Sequence, residues 1–206
     1  MFGILANIVE IAHNYININL KPGGVAVDAT VGNGKDTLFL ARRVGKSGRV
    51  YGFDIQRQAV ETTAELLALH GYVDNVKLFN ESHELVRKKI PEPVDTVVFN
   101  LGYLPGGDHG IVTRAESTVR AVEDCLEILK PGGLICLVVY TGHPGGQKEQ
   151  LRLETLLQGL DKRNFCVAKI NYINRERAPY LLIIEKSARK TAGGITCENR
   201  ETPENN

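Results

Sequence analysis

The chain has 206 residues, enough for one sizeable core and few for two domains. With 43% hydrophobic residues, 24% charged residues and 21 glycines it has the composition of an α/β protein, and no run approaches the roughly 18 apolar residues of a membrane span. A net charge of +1 excludes a strong general field for nucleic acid or an anionic membrane, so any RNA would have to be gripped by local patches.

Apolar residues at helical spacing (Leu5, Ile8, Val9, Ala12, Tyr15) predict an amphipathic helix over residues 2–15 that packs on the domain, with His13 in a packed or capping role. After the turn Lys21-Pro22-Gly23-Gly24, short apolar runs at 25–28, 49–54, 76–79, 96–100 and 133–140 predict the strands of a parallel sheet covered on both faces. Helical patterns intervene at about 35–44, 57–70, 83–89, 114–129 and 147–161, and Lys130-Pro131-Gly132-Gly133 reads as a turn. Residues 165–171 and 180–185 then form two strands with no helix between them, an antiparallel pair closing one edge. The fold class expected is therefore α/β: a mostly parallel seven-stranded sheet with an antiparallel edge strand, one domain over 1–186 and a disordered polar tail over 187–206. Cys125, Cys136, Cys166 and Cys197 make no C-x-x-C pair, which argues against zinc. Cys136 and Cys166, in apolar runs, read as buried thiols, and a cytoplasmic location is expected because no basic segment precedes the first apolar residues.

The first chemical motif is the loop after 25–28, Asp28-Ala29-Thr30-Val31-Gly32-Asn33-Gly34-Lys35-Asp36-Thr37. Gly32 and Gly34 let backbone approach a ligand, and the helix that follows offers free N–H groups. A triphosphate loop needs four residues between its glycines, and here there is one, with Asp36 where it would repel phosphate. The dinucleotide pattern would need glycine where Thr37 stands. S-adenosylmethionine (SAM) carries an ammonium and a sulfonium, which favour nearby carboxylates such as Asp28. Asp54 ends the second strand, where an acid can accept both ribose hydroxyls; its alternative role is a helix cap. Ser82 and His83, after the third strand, stand where they would cover the adenine, or act as cap and surface residue.

The second motif, Asn100-Leu101-Gly102-Tyr103-Leu104-Pro105-Gly106-Gly107, is similar to the Asn-Pro-Pro-Tyr motif of methyltransferases that act on exocyclic amines, with Leu-Gly in place of Pro-Pro. In-line methyl transfer needs a neutral amine with its lone pair aimed. An Asn oxygen and a backbone carbonyl can accept the two amine N–H groups, and a Tyr can stack on a base. Asn100 could also simply cap the turn, and such a pocket could serve many substrates. His109, Thr113, Arg114 and His143 are candidates for a substrate rim.

DATVGNGKDTLFLA, GFDIQ, NLGYLPGGD, LKPGG, VVYTGHPGG and APYLLIIEK together resemble the bacterial rRNA methylase family, over about residues 13–186. Members of that family act as tRNA 5-(aminomethyl)-2-thiouridine methyltransferases. The resemblance implies a Rossmann-like SAM-dependent fold, a tRNA substrate methylated on the aminomethyl group at the wobble uridine, and a homodimer; from the cysteine spacing, no metal is expected. It places SAM against Asn33, Asp36, Thr37, Asp54, Gln56, Ser82 and His83, and the amine against Asn100 and Tyr103. Residues 174–179 and the tail after Lys186 depart from the family pattern. The alternatives are a methyltransferase for rRNA or a small-molecule amine, a non-catalytic SAM- or RNA-binding module, and a dehydrogenase.

Overall fold

Strands that are apolar on both faces need cover on both sides, and this sheet receives it. The structure is a computed structural model that describes residues 7–102 and 112–189, with Leu5 and Gly106. Its strands are β1 (Val25–Asp28), β2 (Arg49–Phe53), β3 (Val76–Phe79), β4 (Val94–Leu101), β5 (Leu129–Val139), β6 (Phe165–Ile170) and β7 (Tyr180–Lys186). They hydrogen-bond in the order β3-β2-β1-β4-β5-β7-β6. All pairings among the first five are parallel, and β7 runs antiparallel to both β5 and β6. The antiparallel member thus sits one place in from the edge.

Alternate residues feed two cores. Val97, Phe99 and Leu101 of β4 and Ile135 and Leu137 of β5 face one core, with Val122 and Cys125 of α5 (Ala115–Ile128) and Leu153 of α6 (Gly146–Gln158). Val98, Cys136 and Val138 face the other, with Ile8 and Ile16 of α1 (Ile8–Asn19), Leu40 of α2 (Lys35–Val44) and Leu67 of α3 (Arg57–Leu69).

Several expectations shift for identifiable reasons. The first helix begins later than its apolar spacing suggests, because the Asn7 side chain accepts the Val9 N–H at 3.0 Å and caps it. It runs on to Asn19, beyond Tyr15, because Ile16 and Leu20 are fully buried. Residues 83–89 form a 3₁₀ turn (His83–Leu85) and one turn of helix, α4 (Val86–Lys89). Lys130-Pro131-Gly132-Gly133 is not a connecting turn: it is an irregularity inside β5, where the register on β4 jumps between Val94 and Thr96 and Gly132 takes φ +77°. Cys125 and Cys136 are buried, but Cys166 is exposed because it lies on β6, an edge strand whose residues are largely in solvent. Cys197 and residues 190–206 of the expected tail lie outside the described residues. No described helix is long and apolar enough to cross a membrane.

Leu137 is fully buried, so Leu137→Ala is expected to cost about 3 kcal/mol through lost burial and a cavity. Cys166→Ala, on the exposed edge, is expected to change stability by less than about 0.5 kcal/mol. Urea unfolding midpoints compare the two.

Candidate active site

Parallel strands deliver their carboxyl ends to one side of the sheet, and between β1 and β4 the crossovers pass to opposite faces, opening a crevice. A pocket of about 900 Å³ lies there. The loop after β1 lines it with Thr30, Gly32, Asn33 and Asp36, the loop after β2 with Asp54 and Gln56, and the loop after β3 with Ser82 and His83. Asn100 and Gly102 at the end of β4 line it too, with Thr113, Arg114 and Tyr140. Of the candidate site residues, Asp28, Gly34 and Thr37 lie in the wall behind it, and His143 lies in a neighbouring cleft. Tyr103 and His109 fall outside the described residues.

Asp28 is wholly buried. One of its oxygens accepts the Thr37 hydroxyl at 2.6 Å and the other the Thr30 N–H at 3.1 Å, which pins both ends of the glycine loop. Burial, aided by the nearby Asp36, pushes its carboxyl up to about 7. Gly34 caps α2 at φ +75°, and a Cβ there would stand 2.6 Å from the Thr63 hydroxyl. Asp54 accepts the Gly32 N–H and the Gln56 N–H, each at 2.9 Å, while still facing the pocket. His83 is buried, and burial lowers its basicity, so the ring is neutral. Its Nδ1–H points at the Ala29 carbonyl at 3.1 Å, an assignment made from the network, which leaves Nε2 as an acceptor with no partner among the described residues.

The Asn100 N–H donates to the Thr30 hydroxyl at 2.6 Å, and its side-chain amide donates to Asp36 at 3.3 Å. The Thr113 N–H donates to the Gly102 carbonyl at 2.9 Å. Glu149, in the first turn of α6 and fully buried, accepts the Thr113 hydroxyl at 2.8 Å and the Thr118 hydroxyl at 2.5 Å. His143 Nε2 lies 3.9 Å away. The neighbouring cleft, about 590 Å³, is lined by residues of the loop after β5 with Lys148 and Arg177.

Sequence reasoning missed Asn7 and Val9 of α1 and Ser117 of α5, all in the pocket wall, and the clamp made by Glu149. Asn7 had a legible signal, a capping residue before an apolar periodicity; Glu149, three residues past a Gly-Gly pair in a polar stretch, had none.

Two carboxylates line the pocket, Asp36 and the Asp54 that follows β2, and they suit a nucleoside bearing positive charge. No group of His, Cys, Asp and Glu suited to a metal occurs among the described residues. Fold and site define a Rossmann-like SAM-dependent methyltransferase. The chain belongs to the family described as "Putative rRNA methylase", whose model matches residues 50–186. It is 42% identical, over 86% of its length and 68% of the other's, to the chloroplastic tRNA (mnm(5)s(2)U34)-methyltransferase of Arabidopsis thaliana. A crystal structure of an rRNA-methylase from Clostridium thermocellum superposes with TM-score 0.86 at 43% identity, covering 88% of this chain and 98% of that one. A Streptococcus mutans methyltransferase in complex with SAH superposes with TM-score 0.81 at 34% identity, covering 90% and 99%.

The raised Asp28 carboxyl has a consequence for stability. Its folded value, about 7, lies above the ordinary 3.8, so between these the native state holds a proton that the unfolded chain has released. This contribution is full below about pH 4 and is lost as pH rises through 7. The wild-type Tm is expected to fall between pH 5 and 7 more steeply than that of Asp28→Asn, measured by thermal melts; equal slopes would contradict the assignment.

Proposed function

We propose that this chain methylates an amine on a modified uridine of tRNA, the aminomethyl group of 5-(aminomethyl)-2-thiouridine at the wobble position. The observation that carries the reading is the placement of Asn100: a polar side chain at the end of β4, in the pocket wall, between the acidic loop after β1 and the bonded pair Gly102 and Thr113. The Arabidopsis relative's name supplies the tRNA and the position.

In this reading Gly32, Asn33, Asp36, Asp54, Gln56, Ser82 and His83 hold SAM, while Asp28, Gly34 and Thr37 shape the loop beneath it. SAM supplies an electrophilic methyl on its sulfonium. An alkylamine resembles lysine, with a pKa of about 10.4 in water, and is unreactive while protonated. Desolvation in the pocket and the adjacent positive charge both lower that value, so no strong base is required. The Asn100 Oδ1 accepts an amine N–H and aims the lone pair, and water takes the proton. Thr113 and Arg114 form the substrate rim. Arg177 in the neighbouring cleft adds local positive charge for the RNA backbone, beside Lys148 paired with Glu116, in a chain whose net charge is only +1.

The deciding experiment is mass analysis of nucleosides from aminomethyl-thiouridine tRNA incubated with protein and SAM. One added methyl on that nucleoside is expected. No gain there, with methyl transferred instead to rRNA or a free amine, would replace the substrate. Asn100→Ala should lower turnover by roughly a hundredfold while changing SAM affinity less than about threefold. Equal losses in the two would remove Asn100 from the acceptor role.

A further inference from the structure

The N-terminal helix α1 reaches the pocket, and His13 on it does more than pack. Its Nε2 lies 2.7 Å from Oδ1 of Asp36, while Oδ2 of the same carboxylate takes the Asn100 side-chain N–H at 3.3 Å. The imidazole stacks on Phe39 of α2 with centroids 3.8 Å apart and planes 6° from parallel. Asp36 is almost fully buried, and the His13 side chain is 22% exposed.

An Asn amide turns about a soft torsion with two nearly equivalent orientations. A carboxylate can only accept, so opposite Asp36 the amide must present nitrogen, and its oxygen takes the other branch. The reverse orientation would set Oδ1 against a carboxylate oxygen. Asp36 breaks this tie only while its own plane is held, and the ring N–H of His13, fixed by stacking, holds it. We infer that His13 and Asp36 are positioning residues that lock the Asn100 amide with its oxygen presented to the acceptor amine. The inference rests on the proposed role of Asn100, but the lock itself is a property of the protein that can be read without any substrate.

Two substitutions separate packing from positioning. His13→Phe keeps the stack on Phe39 and loses the N–H; His13→Gln gives up the stack and keeps an N–H that reaches Asp36. Assayed on aminomethyl-thiouridine tRNA, His13→Phe is expected to lower kcat about tenfold with SAM affinity, by calorimetry, within about threefold, and His13→Gln to recover most of the loss. In an Asn100→Ala background His13→Phe should cost nothing further. Unchanged kcat in His13→Phe, a loss additive with Asn100→Ala, or SAM affinity falling in step with kcat would each overturn the lock. Should His13→Phe not fold, His13→Gln against the shorter His13→Asn makes the same comparison.

The side-chain ¹⁵N amide resonances of Asn100 in the SAH complex, assigned by their loss in Asn100→Ala, give the activity-independent readout. A sharp, exchange-protected pair in wild type that broadens in His13→Phe supports the lock, and an unchanged pair removes it. If the wild type leaves the tRNA unmethylated, the substrate reading alone has failed, and these resonances still decide the lock.

Discussion

Asp28 ends β1 with no exposure to solvent, and its two oxygens take the Thr37 hydroxyl and the Thr30 N–H. Those two bonds set the loop between β1 and α2, and the rest of the site follows from that loop. Thr37 anchors the first turn of α2 and so places Asp36 beside it. Thr30, held at the other end, offers its hydroxyl to the Asn100 N–H and so ties the end of β4 to the same point. One buried carboxyl therefore organises both the acidic wall of the pocket and the strand end that carries Asn100. Breaking a buried, hydrogen-bonded polar group of this kind costs more than its bonds are worth, because the partners stay buried.

A second buried acid does comparable work on the far side. Glu149 gathers the hydroxyls of Thr113 and Thr118 beneath the first turn of α6, where the helix dipole favours a negative charge. Thr113 is thereby held by a backbone bond to Gly102, just past β4, and by a side-chain bond to α6. Neither acid needs to touch a ligand to matter for binding one.

Much of this was legible in the residues. Runs such as Val97-Val98-Phe99 are apolar at consecutive positions, which only a strand covered on both faces requires, and they fall where predicted. The failure of the glycine loop to match phosphate-binding spacings pointed to a positively charged nucleoside, in keeping with the fold's relatives. Contacts made across long separations in sequence were not legible. His13 and Asp36 stand 23 positions apart, and nothing local distinguishes a packed helical histidine from one aimed at a carboxylate. Asp28 showed its charge but not its burial, which depends on the strands on either side. The bulge in β5 was hidden because Pro-Gly-Gly signals a turn equally well inside a strand and between elements. Cys166 misled in the opposite sense: its apolar neighbours fit a buried strand, and only its place at the sheet's margin leaves it in solvent.

The strand order also bears on how the chain assembles as it is made. β7 follows β6 in chain order, yet it lies between β5 and β6, and β6 pairs with no other described strand. Until residues 180–186 leave the ribosome, β5 presents an open, wholly apolar margin along Leu134–Val139 and β6 has no ladder to join. Vectorial synthesis therefore leaves β5, which carries the loop after Val139 and the neighbouring Tyr140, without its second neighbour until residues 180–186 have been made. A chain released early would lack the strand that closes the sheet while displaying the surface most prone to pair with another copy.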